Sequence, residues 1–192
     1  MVKGKQVIVE QPSDIPLPQV QLSAHEVWTR PANGVIKLNV DGAYTAQTGA
    51  AGTGMILRRG DGSIIFSACR ALRFCSSALD AELSACMEGV RMALDLSQEN
   101  IIVETDSLEL ATMARNEDRD SSCLGHLVTD LRLLLTSPRI VGLNKIPRGQ
   151  NNASHMLARF GMFQNRTEVW MGTAPGALLG RILRNCNDII SN

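Results

Sequence analysis

Between Ile36 and Ala43 the chain alternates. Ile36, Leu38 and Val40 are apolar, while Lys37, Asn39 and Asp41 are polar. That two-residue period predicts a strand with one buried face, ending on Asp41 and Gly42. Residues 44–52 are small and polar and read as a loop. Gly54 to Leu57 resumes an apolar run, Arg59-Gly60-Asp61-Gly62 is a turn signal, and Ser63 to Ala68 is a second run. The pattern is a hairpin, so three antiparallel strands follow one another. Ser77 opens a helix, with Asp80 three residues on in the manner of a capping box. Leu79, Leu83, Cys86, Val90 and Leu94 recur at helical spacing and form its buried stripe. Glu82 lies about 60° from Leu79 on a helical wheel, at the edge of that stripe. It reads as a first-turn residue, where the helix dipole favours a carboxylate.

Ile101 to Asp106 is the next strand, its apolar start suiting a central parallel position. Asp106 closes it, and Ser107 caps the helix after it. Leu124, Leu127, Leu131 and Leu134 mark another amphipathic helix, stopped by Pro138. Ile140 to Ile146 reads as the last strand. Asn151 is placed to cap a helix that packs Ala153, Met156, Leu157 and Phe160 inward, with Asn152, His155 and Arg159 on its other face. Residues 1–27, interrupted by Pro12, Pro16 and Pro18, read as an arm; 28–165 form the domain; 166–192 form a helical extension. The apolar face of that extension, with Leu178, Leu179, Ile182 and Leu183, is a candidate contact for the domain or for a partner. The order of elements is α/β, a mixed sheet covered by helices.

Composition narrows this only a little. At 192 residues and 44% hydrophobic, the chain suits one globular domain with short extensions. Its 19 basic and 19 acidic residues cancel, so net charge neither favours nor excludes a polyanionic partner. Leu131 to Thr167, however, lacks Asp and Glu while holding Arg132, Arg139, Lys145, Arg148, Arg159 and Arg166. That segment is either a phosphate-facing surface or a solvated face whose partners lie elsewhere. The five cysteines form no C-x-x-C pair, and with the scattered histidines they show no zinc spacing. Reduced core thiols in an intracellular protein, cytoplasmic or nuclear, are the expectation. No apolar run approaches a membrane span, and no signal-peptide core is evident.

The chemistry centres on carboxylates. Asp41 and Asp106 each end a buried strand, and parallel neighbours would bring both to one sheet edge. Glu82 can lean over that edge from its helix. Together the three repel unless a cation sits among them, and hard oxygen donors suit Mg²⁺. Each also has a plainer reading: Asp41 as a turn former, Glu82 as a cap, Asp106 as punctuation between strand and helix.

Ile36 through Ala43, Ala81-Glu82-Leu83-Ser84-Ala85, Val103-Glu104-Thr105-Asp106-Ser107, and Pro147-Arg148-Gly149-Gln150-Asn151 through Leu157-Ala158-Arg159 occur in that order. Together they resemble ribonuclease H type 1, most closely its plant reverse-transcriptase-like, retroelement-related branch. The likeness covers about residues 28–162, and the tail from Trp170 to Cys186 also looks like that branch. It implies a ribonuclease H-like fold, a five-stranded mixed sheet with helices on both faces. It implies cleavage of the RNA strand of RNA–DNA hybrids, with two Mg²⁺ ions and 5′-phosphate products. By position it makes Asp41, Glu82 and Asp106 metal-binding catalytic residues. It places Glu82 and the backbone at Gly42 and Ala43 near a ribose 2′-hydroxyl. Arg148 and Arg159 read equally as contacts to hybrid phosphates or as ordinary surface arginines, and Asn151 is a further candidate nucleic-acid contact.

The family usually carries Asp where this chain has His155. By alignment His155 is then a fourth metal and catalytic position, with one negative charge fewer and a softer donor than Mg²⁺ prefers. That implies weakened metal binding and a shift toward Mn²⁺. It also keeps open a second reading, a ribonuclease H-like module that binds nucleic acid or protein without cutting.

Overall fold

The computed structural model describes residues 27–116 and 123–187. Except for Val27, the arm over 1–27 lies outside the described residues. Six strands and five α-helices are described: β1 (Val35–Thr45), β2 (Ala50–Arg58), β3 (Ile64–Leu72), α1 (Ala78–Leu96), β4 (Asn100–Thr105), α2 (Leu108–Arg115), α3 (Gly125–Leu135), β5 (Ile140–Lys145), α4 (Asn152–Gln164), β6 (Glu168–Met171) and α5 (Gly176–Asn187). The sheet order is β5-β4-β1-β2-β3-β6. β4 lies parallel to both β1 and β5, and the other pairs are antiparallel.

The expected five-stranded sheet is therefore a six-stranded one, and β5 is not the last strand. At the end of α4, Asn165 takes a left-handed φ of 49° and its N–H closes on Gly161 O. That reversal sends Glu168–Met171 back along β3, in register from Phe66↔Met171 to Cys69↔Glu168. Trp170 anchors it, packing edge-on to Phe160 with ring centroids 6.2 Å apart.

Helices cover both faces. α1, α2 and α3 enclose one core with Ile36, Leu38, Val40, Met55, Leu57, Phe66, Ile101, Val103 and Leu143 from the sheet. α4 and α5 enclose a smaller one with Ile56, Ile64 and Cys69. The extension helix α5 docks on the domain itself, burying Ile182 and Cys186. Cys69, Cys86 and Cys186 are buried thiols, and all five cysteines are free. Burial, with a contribution from Glu82, pushes the Cys86 thiol up to about 12. None of the described helices is long and apolar enough to cross a membrane.

Two expectations for β1 are corrected. It does not end at Asp41 but runs to Thr45, because β2 keeps pairing through Thr45↔Ala50 and takes in residues expected as a loop. It is also buried on both faces: Lys37, Asn39 and Asp41 are as enclosed as their apolar neighbours. Lys37 and Asn39 find their partners internally. Lys37 Nζ sits 2.7 Å from Glu104 Oε1. Asn39 Nδ2 donates to Glu104 Oε2 at 3.0 Å, and Arg58 Nη2 donates to Asn39 Oδ1 at 2.7 Å. Trp28 closes this side, its Nε1 donating to Asn39 Oδ1 and its ring 4.3 Å from the Arg58 guanidinium.

Candidate active site: three carboxylates and a histidine

The parallel pairing of β1 with β4 stops at Asn39↔Glu104. Asp41 lies just past that point on β1, and Asp106 directly follows β4, so both carboxylates emerge at one edge of the sheet. Glu82 comes from α1, beyond the first turn, which holds Asp80 instead. Ser77 Oγ accepts from Asp80 N–H as a cap should, but the Asp80 carboxylate turns back to Ser76 rather than to Ser77. One oxygen from each of Asp41, Glu82 and Asp106 lies within 4.8 Å of the others.

Gly42 explains how Glu82 arrives there. A Cβ at Gly42 would stand 2.4 Å from the backbone of Ala81 and Glu82. The glycine therefore makes room for helix α1. Gly54 does the same for α4, whose Ala158 N and Ser154 O would lie 2.2 Å from its Cβ. Gly52, also within β2, packs against α4 in the same way.

The electrostatics are unfavourable without a cation. Burial pushes the Asp41 carboxyl up to about 6; the nearby Asp106 charge adds to this, and a hydrogen bond from His155 opposes it. Burial also pushes Glu82 up to about 9, reinforced by the charges of Asp41 and Asp106 and opposed by the Gly42 backbone and Arg148. Glu82 Oε2 is buried with no hydrogen-bond partner. Crowded carboxylates with an unpartnered oxygen among them fit a hard divalent cation.

Asn151 is corrected twice. Its side chain does not cap α4, and it is fully buried, so it cannot contact a nucleic acid directly. Its Nδ2 donates to Asp106 Oδ1 at 2.7 Å and to Val40 O at 2.9 Å. Its Oδ1 accepts from Ser154 Oγ at 2.8 Å. One amide thus ties β1, the end of β4 and the start of α4 together. Nothing local in the sequence separates this role from a cap.

The alignment places His155 at the site, and the structure does bring it there. Its Nδ1 lies 3.0 Å from Asp41 Oδ2, and its Nε2 lies 3.3 Å from Arg148 Nη2. It is not, however, among the groups whose ligand atoms converge. Arg148 and Arg159 are exposed, the latter stacked 5.2 Å from the Phe163 ring; Gly42 is half-buried and Ala43 buried. The acid-free segment divides. Arg139 is spent on Leu94 O and Ser97 O at the end of α1, Arg132 donates to Met113 O of α2, and Arg166 pairs with Glu168. Lys145, Arg148 and Arg159 are the exposed cations that remain.

The sequence matches the reverse transcriptase-like family over residues 39–161, a span that contains Asp41, Glu82, Asp106 and His155. The chain belongs to that family. This reverse transcriptase-like domain shares its fold with ribonucleases H. Ribonuclease H1 of the halophilic archaeon Halobacterium salinarum NRC-1 superposes with a TM-score of 0.60 at 22% identity, covering 69% of this chain and all of that one. The N-terminal ribonuclease H domain of Rv2228c from Mycobacterium tuberculosis gives 0.59 at 20%, covering 68% and 94%. LC11-RNase H1 in complex with an RNA/DNA hybrid gives 0.59 at 14%, covering 68% and 98%. No curated protein matches the chain.

Proposed function

We propose that this domain hydrolyses the RNA strand of RNA–DNA hybrids using a divalent cation, Mg²⁺ or Mn²⁺. The observation that carries the reading is the convergence of Asp41, Glu82 and Asp106, from three separate elements, within 4.8 Å. The fold it shares with a protein crystallised on a hybrid points to the substrate class. The plant-branch assignment rests on motif likeness alone.

In this reading Asp41, Asp106 and deprotonated Glu82 would hold the cation. When bound, the ion supplies positive charge to the scissile phosphate and acidifies a water. The chain's own residues do the rest. Asn151 fixes Asp106 against rotation, and Gly42 keeps α1 close enough for Glu82 to face the ribose side. Arg148, Arg159 and Lys145 face the phosphates of the bound strands. Hydrolysis breaks the P–O3′ bond as water adds to phosphorus, leaving a 3′-hydroxyl and a 5′-phosphate.

His155 favours a second reading, a module that binds a hybrid without cutting it. The two separate in one experiment: incubation of an end-labelled hybrid, single-stranded RNA and duplex DNA with Mg²⁺ or Mn²⁺, with Asp41→Asn as control. Cleavage confined to the hybrid and lost in Asp41→Asn supports the nuclease. Cleavage that survives the substitution refutes it, and tight binding without cleavage supports the second reading.

A further inference from the structure

The contacts of His155 bear on how many ions the site takes. A guanidinium only donates hydrogen bonds. With Arg148 Nη2 3.3 Å from Nε2, that nitrogen is the acceptor, and the ring proton resides on Nδ1. Nδ1–H then donates to Asp41 Oδ2 at 3.0 Å. Both ring nitrogens are therefore engaged, and so is the Asp41 oxygen on the His155 side.

We infer that the site holds a single divalent cation, and that the His155–Arg148 pair occupies the place and supplies the charge of a second. The inference rests on the reading of the carboxylate cluster as a metal site. Two ions sharing Asp41 would each need one of its oxygens, and Oδ2 already accepts the imidazole proton. An ion approaching on that side would have to displace this proton, then lie against a guanidinium of like charge. Three carboxylates, one divalent ion and one guanidinium are neutral together, whereas a second ion would leave an excess of positive charge, and no further acid among the described residues joins the cluster. His155 is accordingly a positioning residue: it orients Asp41 and keeps Oδ2 from a second ion.

The test counts ions rather than turnover. Mn²⁺ is titrated into the full chain by calorimetry and by electron paramagnetic resonance. We expect one ion per chain and no exchange-coupled signal from a pair. His155→Asp, which supplies a carboxylate in place of the imidazole proton, should bind two ions and show the coupled signal. Two ions in the unaltered chain, or only one in a folded His155→Asp, would overturn the inference while leaving the metal site standing. No binding by the unaltered chain would overturn the metal site itself. A measurement that needs no variant is the ¹⁵N spectrum of the His155 ring. Protonated Nδ1 and unprotonated Nε2 should persist at saturating Mg²⁺; an Nε2 resonance displaced by the ion would overturn the assignment.

Discussion

Glu82→Gln should make the metal-free protein more stable at neutral pH, although it removes a candidate ligand. The side chain keeps its shape and loses its ionisation. In the folded chain burial and two neighbouring carboxylates push Glu82 from its ordinary 4.5 up to about 9. The folded pKa exceeds the unfolded one, so the associated stability is complete below about pH 4.5. It erodes as pH rises toward 9, because the unfolded chain releases a proton that the folded chain retains. At about 1.4 kcal/mol per unit, the loss by pH 7 is roughly 3 kcal/mol, a ceiling because Glu82 and Asp41 share one cluster. Asp41, pushed up to about 6, contributes its own erosion mainly below pH 6.5 and does so in both proteins. Urea unfolding in EDTA at pH 6.5 and 8.5 therefore isolates Glu82. The unaltered chain should lose about 2–3 kcal/mol across that interval and the variant less than about 1. Adding Mg²⁺ should narrow the difference. An ion at ten times its dissociation constant stabilises the unaltered chain by about 1.4 kcal/mol, and the variant by much less. Equal pH slopes in the two proteins, or a variant weaker than the unaltered chain at pH 8.5 in EDTA, would refute the picture of a crowded site awaiting a cation.

Asn151→Ala removes the donor from both Asp106 Oδ1 and Val40 O. It should cost about 1–3 kcal/mol by thermal or urea unfolding, and about 10–100-fold in Mn²⁺ affinity by calorimetry. Gly42→Ala puts a methyl against the α1 backbone at 2.4 Å. A loss of about 1–3 kcal/mol, with weakened Mn²⁺ binding because Glu82 is pushed away, is expected; unchanged stability would contradict the packing. Arg148→Ala with Arg159→Ala should lower the slope of log affinity against log salt for a hybrid by about 2, read by fluorescence anisotropy in EDTA. An unchanged slope would remove both from the phosphate contacts.

Periodicity carried most of the fold. Its long, regular segments, the stripe of α1 and the alternation of β1, are the ones the structure retains. What escaped is what distant residues decide. β6 is four residues long, too short for a period to register, and exists because β3, about a hundred residues earlier, offers it an edge. Lys37 and Asn39 look solvent-facing by residue type, yet Glu104, Arg58 and Trp28 supply enough partners to bury them. Gly42 and Asn151 stood out for local reasons, a strand end and a helix cap. Their actual roles, a helix crossing and a clamp on Asp106, depend on tertiary contacts that no neighbouring residue encodes. Of the six cations in the acid-free segment, Arg132 and Arg139 serve helix ends in the same way.

Glu104 helps to decide between the metal site and the plainer reading of three unrelated capping acids. It is buried on β4, two residues before Asp106, and its neighbour Asn39 lies two residues before Asp41 on β1. Lys37 Nζ meets one Glu104 oxygen at 2.7 Å and Asn39 Nδ2 the other at 3.0 Å. This sheet can therefore provide a full set of partners for a buried acid. At the edge one step further on, it does the opposite. Three carboxylates face one another, and Glu82 Oε2 is left buried without a donor. Gly42 and Asn151 act to hold that arrangement together rather than to relieve it. Capping acids would gain nothing from such crowding and would lie apart, as Asp80 does on Ser76. A cluster maintained against its own repulsion is accounted for by a cation that the same strands and helix are positioned to receive.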